Sequence, residues 1–385
     1  MRSTATALFL LPALLLACHE PVAPDGAPAA PPTFGKPGTG GGGGVTVTNL
    51  NLSGSGQDSR AEDINASGRI VGWRGPWNGP NSAFVWIPAT NRGTAGTATN
   101  LASLGQEALA YAVNAQNYVA GERGRVGVEM ENPVLWQPLT GGGYSAPVEL
   151  GSALDGGAVY DLGDFDAANA ALAVGASDIR INPRAIAWGL TRDAGGAVSV
   201  STRWELPPII GGQGGTAFEV SRLGQAVGYA NISSTQNRPV RWTYSGGAWT
   251  VLELPMLAGA TGGVARGINA AGQVVGFNHM GGGKCQRAFV WSAATGLRQL
   301  PPLGNSLCDL AYAVNDAGQV AGTSGGHTVL WTLGATISVR DLGNPSGTRS
   351  SEGMALNEPL AGAIEVVGYG RTGGGAEQAA LWTVR

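Results

Sequence analysis

Three acids share one register of a repeated sequence motif. Asp63, Asp161 and Glu219 each stand immediately before an apolar residue (Ile64, Leu162 and Val220), while Ala112, Gly267, Ala313 and Ala355 fill the same register elsewhere. Asp161 and Glu219 belong to consecutive copies, so they are the pair that two-carboxyl chemistry would need. Glycoside hydrolysis places such a pair roughly 5 to 9.5 Å apart. The same acids, helped by backbone carbonyls, also suit a Ca²⁺ ion. Lining a wet channel, or tied to donors between structural units, they would do no chemistry at all. Other catalytic signatures are missing from the sequence. The three histidines have no spaced zinc partner, and there is neither a Gly-x-Ser-x-Gly elbow nor a phosphate loop.

A second group has the composition of a ligand platform. Trp73 and Trp77 fall in "WRGPWNGP" (73–80), and Arg123 and Arg125 in "ERGRVGVEMEN" (122–132). Both segments are expected to be long loops. Exposed Trp beside Asn and Arg suits a sugar ring or a peptide, through apolar stacking with polar handles. The alternative is that these Trp pack a loop against its neighbour.

What must position these residues is a repeat. "RGINAAGQVVGFN" (266–278) recurs closely as "YAVNDAGQVAGTS" (312–324) and "AEDINASGRIVGW" (61–73), and each copy is followed by a segment ending in Trp. The Trp residues are 86, 136, 188, 242, 291, 331 and 382, about 40 to 54 residues apart, a period that marks a repeat architecture. Within one repeat the apolar runs are short, β-branched and bounded by Gly, Pro and Asn, so they read as strands. In "NAAG" and "NDAG" the Asn side chain can bond the backbone two residues on and the Gly accepts positive φ, so each is a tight turn joining strand a to strand b. Strand c carries the Trp. A fourth strand follows six of the seven Trp, and after Trp382 only three residues remain. The missing strand is then "VTVTNL" (45–50) at the other end of the chain. This count predicts an all-β, seven-bladed β-propeller of four-stranded blades over 45–385, closed by its N-terminal strand so that no sheet edge is left open.

"GINAAGQVVGFN" with "RAFVW", and "AVNDAGQVAGTS" with "HTVLW", resemble the HAF-repeat family found mainly in exported bacterial proteins, over essentially all of 60–385. The resemblance implies an extracellular repeat module and carries no activity with it. The His that opens the family's "HAFLW" segment is here Ser82, Asn132, Arg184, Arg238, Arg287, His327 and Gln378, so a general role for it does not transfer.

Charged residues make up 13% of the chain and the formal net charge is −3, with no basic run, which argues against nucleic acid as a partner. One Arg and an apolar run from Ala7 to Ala17 are too short to span a bilayer and read as a signal peptide (1–17). "LLAC" (15–18) resembles the lipobox of bacterial lipoproteins, which implies acylation of Cys18, a mature chain anchored to the cell envelope (outer membrane or cell surface), and a Pro/Gly-rich tether over 18–44. The two remaining cysteines, Cys285 and Cys308, are expected to form a disulfide, because strand alternation puts both at one face of adjacent blades in an exported chain. The expectation is a monomeric, membrane-tethered binding module for a glycan, peptide or protein, with no cofactor required. A carbohydrate-active enzyme using the axial acids is the rival reading.

Overall fold

The computed structural model describes residues 44–52, 57–76, 80–125, 128–151, 156–177, 183–282 and 285–385. The elements among them are all β-strands, arranged as seven four-stranded antiparallel sheets in a ring: a seven-bladed propeller, as the repeat count predicts. Six blades run a, b, c, d outward in chain order. In the seventh, strands a (Thr348–Leu356), b (Ile364–Thr372) and c (Glu377–Val384) are completed by the N-terminal strand Val45–Asn49, which pairs antiparallel with Glu377–Val384 from Val45↔Val384 to Asn49↔Ala380.

The core lies between blades. One cluster joins Val71, Ala83 and Val85 of the first blade to Ala110, Val119 and Trp136 of the second. All seven strand-c Trp are buried, and truncating a side chain of this kind costs about 3–5 kcal/mol. Four of them also latch the preceding linker: their indole N–H groups donate to the carbonyls of Ala102, Pro207, Pro301 and Gly343 at 2.7–2.9 Å, from Trp136, Trp242, Trp331 and Trp382 respectively.

The a–b turns behave as their sequence suggests. Asn269 Oδ1 accepts from Ala271 N at 3.1 Å and Gly272 takes φ +72°. The same Asn also ties the ring together. Asn65 Nδ2 donates to Asn114 O, Asn114 Nδ2 to Gly163 O, Asn269 Nδ2 to Asn315 O and Asn315 Nδ2 to Asn357 O, each at 2.9–3.2 Å. At these turns each blade thus holds a carbonyl of the next.

The glycine closing "QVVG" has a different cause. In every blade strand a carries a β-bulge opposite it, for example between Ala61 and Asp63 facing Gly72, and between Ala265 and Gly267 facing Gly276. The bulge pushes a strand-a carbonyl against that glycine. A Cβ on Gly72 would lie 2.0 Å from Arg60 O and one on Gly276 2.1 Å from Val264 O, closer than any side chain can come. At this bulge one extra residue in each blade is left out of the ladder and re-aimed, and the fifth and seventh blades carry a second bulge near the start of strand a.

The disulfide forms as expected. Cys285 leads into strand c of the fifth blade, Cys308 precedes strand a of the sixth, and the two are bonded with Cα atoms 5.0 Å apart.

Candidate functional site at the axis

The residues re-aimed by the bulges are Glu62, Tyr111, Tyr160, Phe218, Arg266, Tyr312 and Met354, one from each blade. They form a wheel around the axis. The Tyr111 and Tyr160 rings lie 5.2 Å apart and those of Tyr160 and Phe218 5.4 Å apart. The Arg266 guanidinium sits 4.1 Å from the Phe218 ring centre and 5.5 Å from that of Tyr312. Strand b supports the wheel through Trp73 Nε1, which donates to Glu62 Oε1 at 3.0 Å, and through Glu122 Oε1, which accepts from Tyr111 Oη at 3.0 Å, while strand a of the seventh blade supplies Glu352 Oε2, which accepts from Tyr312 Oη at 2.7 Å.

The wheel bounds a cavity of about 160 Å³. Asp63, Asp161 and Glu219, each next along its strand after the bulged residue, share this cavity with Ala313, Val314, Ala355 and Leu356, so it extends from the wheel toward the a–b turns. The acids line the cavity and are at the same time tied to backbone donors of the next blade. Asp63 accepts from Ile64 N and Val113 N at 2.7 Å each, and Asp161 from Leu162 N at 2.7 Å and Val220 N at 2.8 Å. Each therefore bridges its own strand to the next blade's. Glu219 accepts in the same way from the backbone of Ile268.

Burial, the largest influence on these carboxyls, disfavours their charge. It lifts Asp63 to about 6 against the pull of its two backbone N–H bonds. Asp161 rises to about 7, with the Val220 N–H opposing burial and the charge of Asp63 reinforcing it. Glu219 is pushed well above the usual carboxylate range by burial and by repulsion from Asp161 and Asp63. Glu62 is also raised by burial, although Arg60, the Trp73 indole and Arg266 all favour its charge. The cavity wall thus holds four carboxyls that resist ionising together.

The loop platform is not where the sequence put it. Trp73 lies on strand b (Ile70–Gly75), half-buried, with its indole turned to Glu62 and the Arg60 guanidinium 5.5 Å from its ring centre. Alternation from the buried Val71 carries it inward, so it supports the axis. Arg123, 9% exposed, lies on strand b of the second blade (Val119–Arg125) and is ion-paired with Glu149. The segment 122–132, expected to be a loop, is mostly strand, with Val128–Trp136 on its far side. Arg125 ends strand b, away from the wheel residue of its blade. Trp77 and Cys18 lie outside the described residues. Among the described residues no cluster of three or more His, Cys, Asp or Glu is placed to hold a metal ion.

The wheel is what sequence reasoning missed. Its signal was present: at all seven positions a large or charged residue follows a small or β-branched one, as in "AED", "AYA", "VYD", "AFE", "ARG", "AYA" and "GMA".

No protein-family model matches the chain, and no curated protein matches it in sequence. Solved structures match its fold. A streptogramin B lyase superposes with a TM-score of 0.50 at 12% identity, over 89% of this chain and 98% of the lyase. The virginiamycin B lyase of Staphylococcus aureus does so with a TM-score of 0.52 at 12% identity, over 89% and 99%. At this identity the likeness is one of fold alone, and propellers host many chemistries.

Proposed function

We propose that this chain is an extracytoplasmic binding module of the HAF-repeat type, anchored to the cell envelope through an acylated Cys18 and carrying its ligand at the axis. The observation that carries this reading is the wheel: every blade spends one bulge and one glycine on delivering a large side chain to a common cavity. Rings, carboxyls and a guanidinium converging on a half-open cavity are the usual makings of a ligand pocket. A glycan, peptide or protein terminus inserted there would meet stacking surfaces first and polar partners second. Glycan and peptide arrays probed with the purified protein and with Phe218→Ala test the reading, and binding that is indifferent to Phe218→Ala would overturn it. For the anchor, detergent partitioning of wild type and Cys18→Ser is the measurement; equal partitioning would remove Cys18 from the account.

The rival reading, glycan hydrolysis by Asp161 and Glu219, has their raised carboxyls in its favour, since a general acid must hold its proton near neutrality. Against it, both oxygens of Asp161 are engaged by backbone N–H groups, which suits a strut better than a nucleophile. Hydrolysis assays on the same glycans, with Glu219→Gln as control, separate the two.

A further inference from the structure

Resting on the axial site proposed above, we infer that the cavity is a seat for a small organic cation, an ammonium or guanidinium head group, held by the aromatic arc of the wheel and the carboxyls beside it.

Three observations converge on this class of ligand. The first is charge. Glu62, Asp63, Asp161 and Glu219 share the cavity wall with one cation, Arg266. Arg60 also acts on Glu62 but is engaged by Glu377, so four ionised carboxyls still leave the wall short of positive charge, and half-buried carboxyls crowded in one space ionise together only with a compensating partner. An arriving cation supplies it, whereas an anion would deepen the mismatch.

The second is the wall. Tyr111, Tyr160 and Phe218 form a continuous arc of rings on consecutive blades. Arg266 already stands over the end of that arc, 4.1 Å from the Phe218 ring centre, so the wheel demonstrates on its own side chain that it accepts a cation over a π face.

The third is room. Ala313 and Ala355 stand where Asp63, Asp161 and Glu219 stand in other blades, and the cavity opens toward these short side chains. A volume of about 160 Å³ matches a head group the size of a benzene ring. A bare metal ion is disfavoured because the acids are spread over the first, third and fourth blades and do not gather as a ligand set among the described residues.

A proton count follows. Carboxyls that hold protons in the empty cavity give them up when a cation arrives, so binding should release protons near neutral pH and tighten as pH rises, about tenfold per pH unit for each proton released. An anion at Arg266 would do the reverse.

The test is isothermal titration of the purified protein with n-butylammonium, tetramethylammonium, 1-butanol, butyrate and CaCl₂, at pH 5.5 and 7.5, in two buffers of different ionisation enthalpy. The expected result is that the ammonium probes bind about tenfold or more tighter than 1-butanol, with proton release. Glu219→Gln should weaken them, and Arg266→Met, which removes the resident cation, should strengthen them several-fold. The melting curve of Glu219→Gln is recorded alongside to separate loss of binding from loss of fold, and Arg266→Met provides an independent arm. Butyrate binding with proton uptake, lost in Arg266→Met, would overturn the cation assignment and leave the axial site standing. Binding of Ca²⁺ alone, or of none of the five probes, would likewise overturn it. A glycan or peptide that binds regardless of every wheel substitution would overturn the axial site as well.

Discussion

Arg60 of the first blade and Glu377 of the last meet across the seam of the ring, where Arg60 Nη2 donates to Glu377 Oε1 at 2.6 Å and its Nε donates to the other oxygen. Glu377 is 1% exposed, and Arg371 Nη2 donates to it at 2.9 Å from the other side. The Arg60 guanidinium also lies 4.2 Å from the Tyr369 ring centre. Arg60→Met keeps the packing stem but leaves Glu377 with one partner. Removing one member of a buried pair costs about 3–5 kcal/mol, and with Arg371 retained a loss of about 2–3 kcal/mol is expected in chemical denaturation. A loss below about 0.5 kcal/mol would show that the seam does not depend on this pair.

The N-terminal strand is the other seam element. Leu50 and Leu52 pack with Ile70, Phe84 and Leu381, and Val45 and Val47 pack against Trp382. Removal of residues 18–44 should leave the melting temperature unchanged. Removal through residue 52 should uncover the edge of Glu377–Val384 and promote aggregation. Equal melting and solubility of the two truncations would count against closure by this strand.

The Cys285–Cys308 bridge closes a separation of 23 residues between the fifth and sixth blades. Loop-closure entropy alone makes it worth roughly 3 kcal/mol. Beside it Arg287 Nη1 donates to the fully buried Asp309 at 3.0 Å, a contact that fastens the same junction. Calorimetry of the Cys285→Ser, Cys308→Ser double variant should show a melting temperature several degrees lower, and reductant should lower wild type but not the variant.

Stability should fall on both sides of mildly acidic pH. For Glu377, burial works to raise the carboxyl, but the hydrogen bond and charge of Arg60 outweigh it and hold the group below its ordinary value; its contribution is present above the unfolded range and lost as pH falls. Asp161 has the opposite sign. Its carboxyl is raised to about 7, so its contribution is present below the unfolded value near 4 and lost as pH rises through 7. Melting curves should therefore peak near pH 5, with the alkaline slope shallower in Asp161→Asn and the acid slope shallower in Arg60→Met. A wild-type curve that rises steadily from pH 5 to pH 8 would contradict the raised carboxyl of Asp161.

The frame was legible in the sequence because its causes are local and repeated. The Trp of each strand c recurs in every copy, the Asn-to-Gly turn recurs with Asp166 and Ser221 replacing the Asn in the third and fourth blades and Asn117 and Asn169 replacing the Gly in the second and third, and the count of fourth strands closed the ring through residues 45–50 without any long-range contact being known. The axis was only half legible. Strict alternation along strand a assigns Asp63, Asp161 and Glu219 to one face but has no place for Glu62, Tyr160 and Phe218, because a bulge adds a residue that a period of two does not count. A different signal misplaced Trp73 and Arg123: Gly and Pro nearby suggested a loop, while strand b in fact runs past both before it turns. Partners such as Val113 N for Asp63 are some 50 residues away and leave no trace in composition.

The bulge also separates two design problems that most sheets leave entangled. A residue that belongs to no ladder pair can be exchanged without altering its strand's register, and its opposing glycine keeps the local geometry whatever side chain is installed. The seven wheel positions therefore share a fixed housing, although neighbouring side chains such as Tyr111 and Tyr160 touch and are exchanged as a set. Randomising Tyr111, Tyr160, Phe218, Tyr312 and Met354 together should yield folded proteins with altered pocket chemistry far more often than randomising any five consecutive residues of one blade.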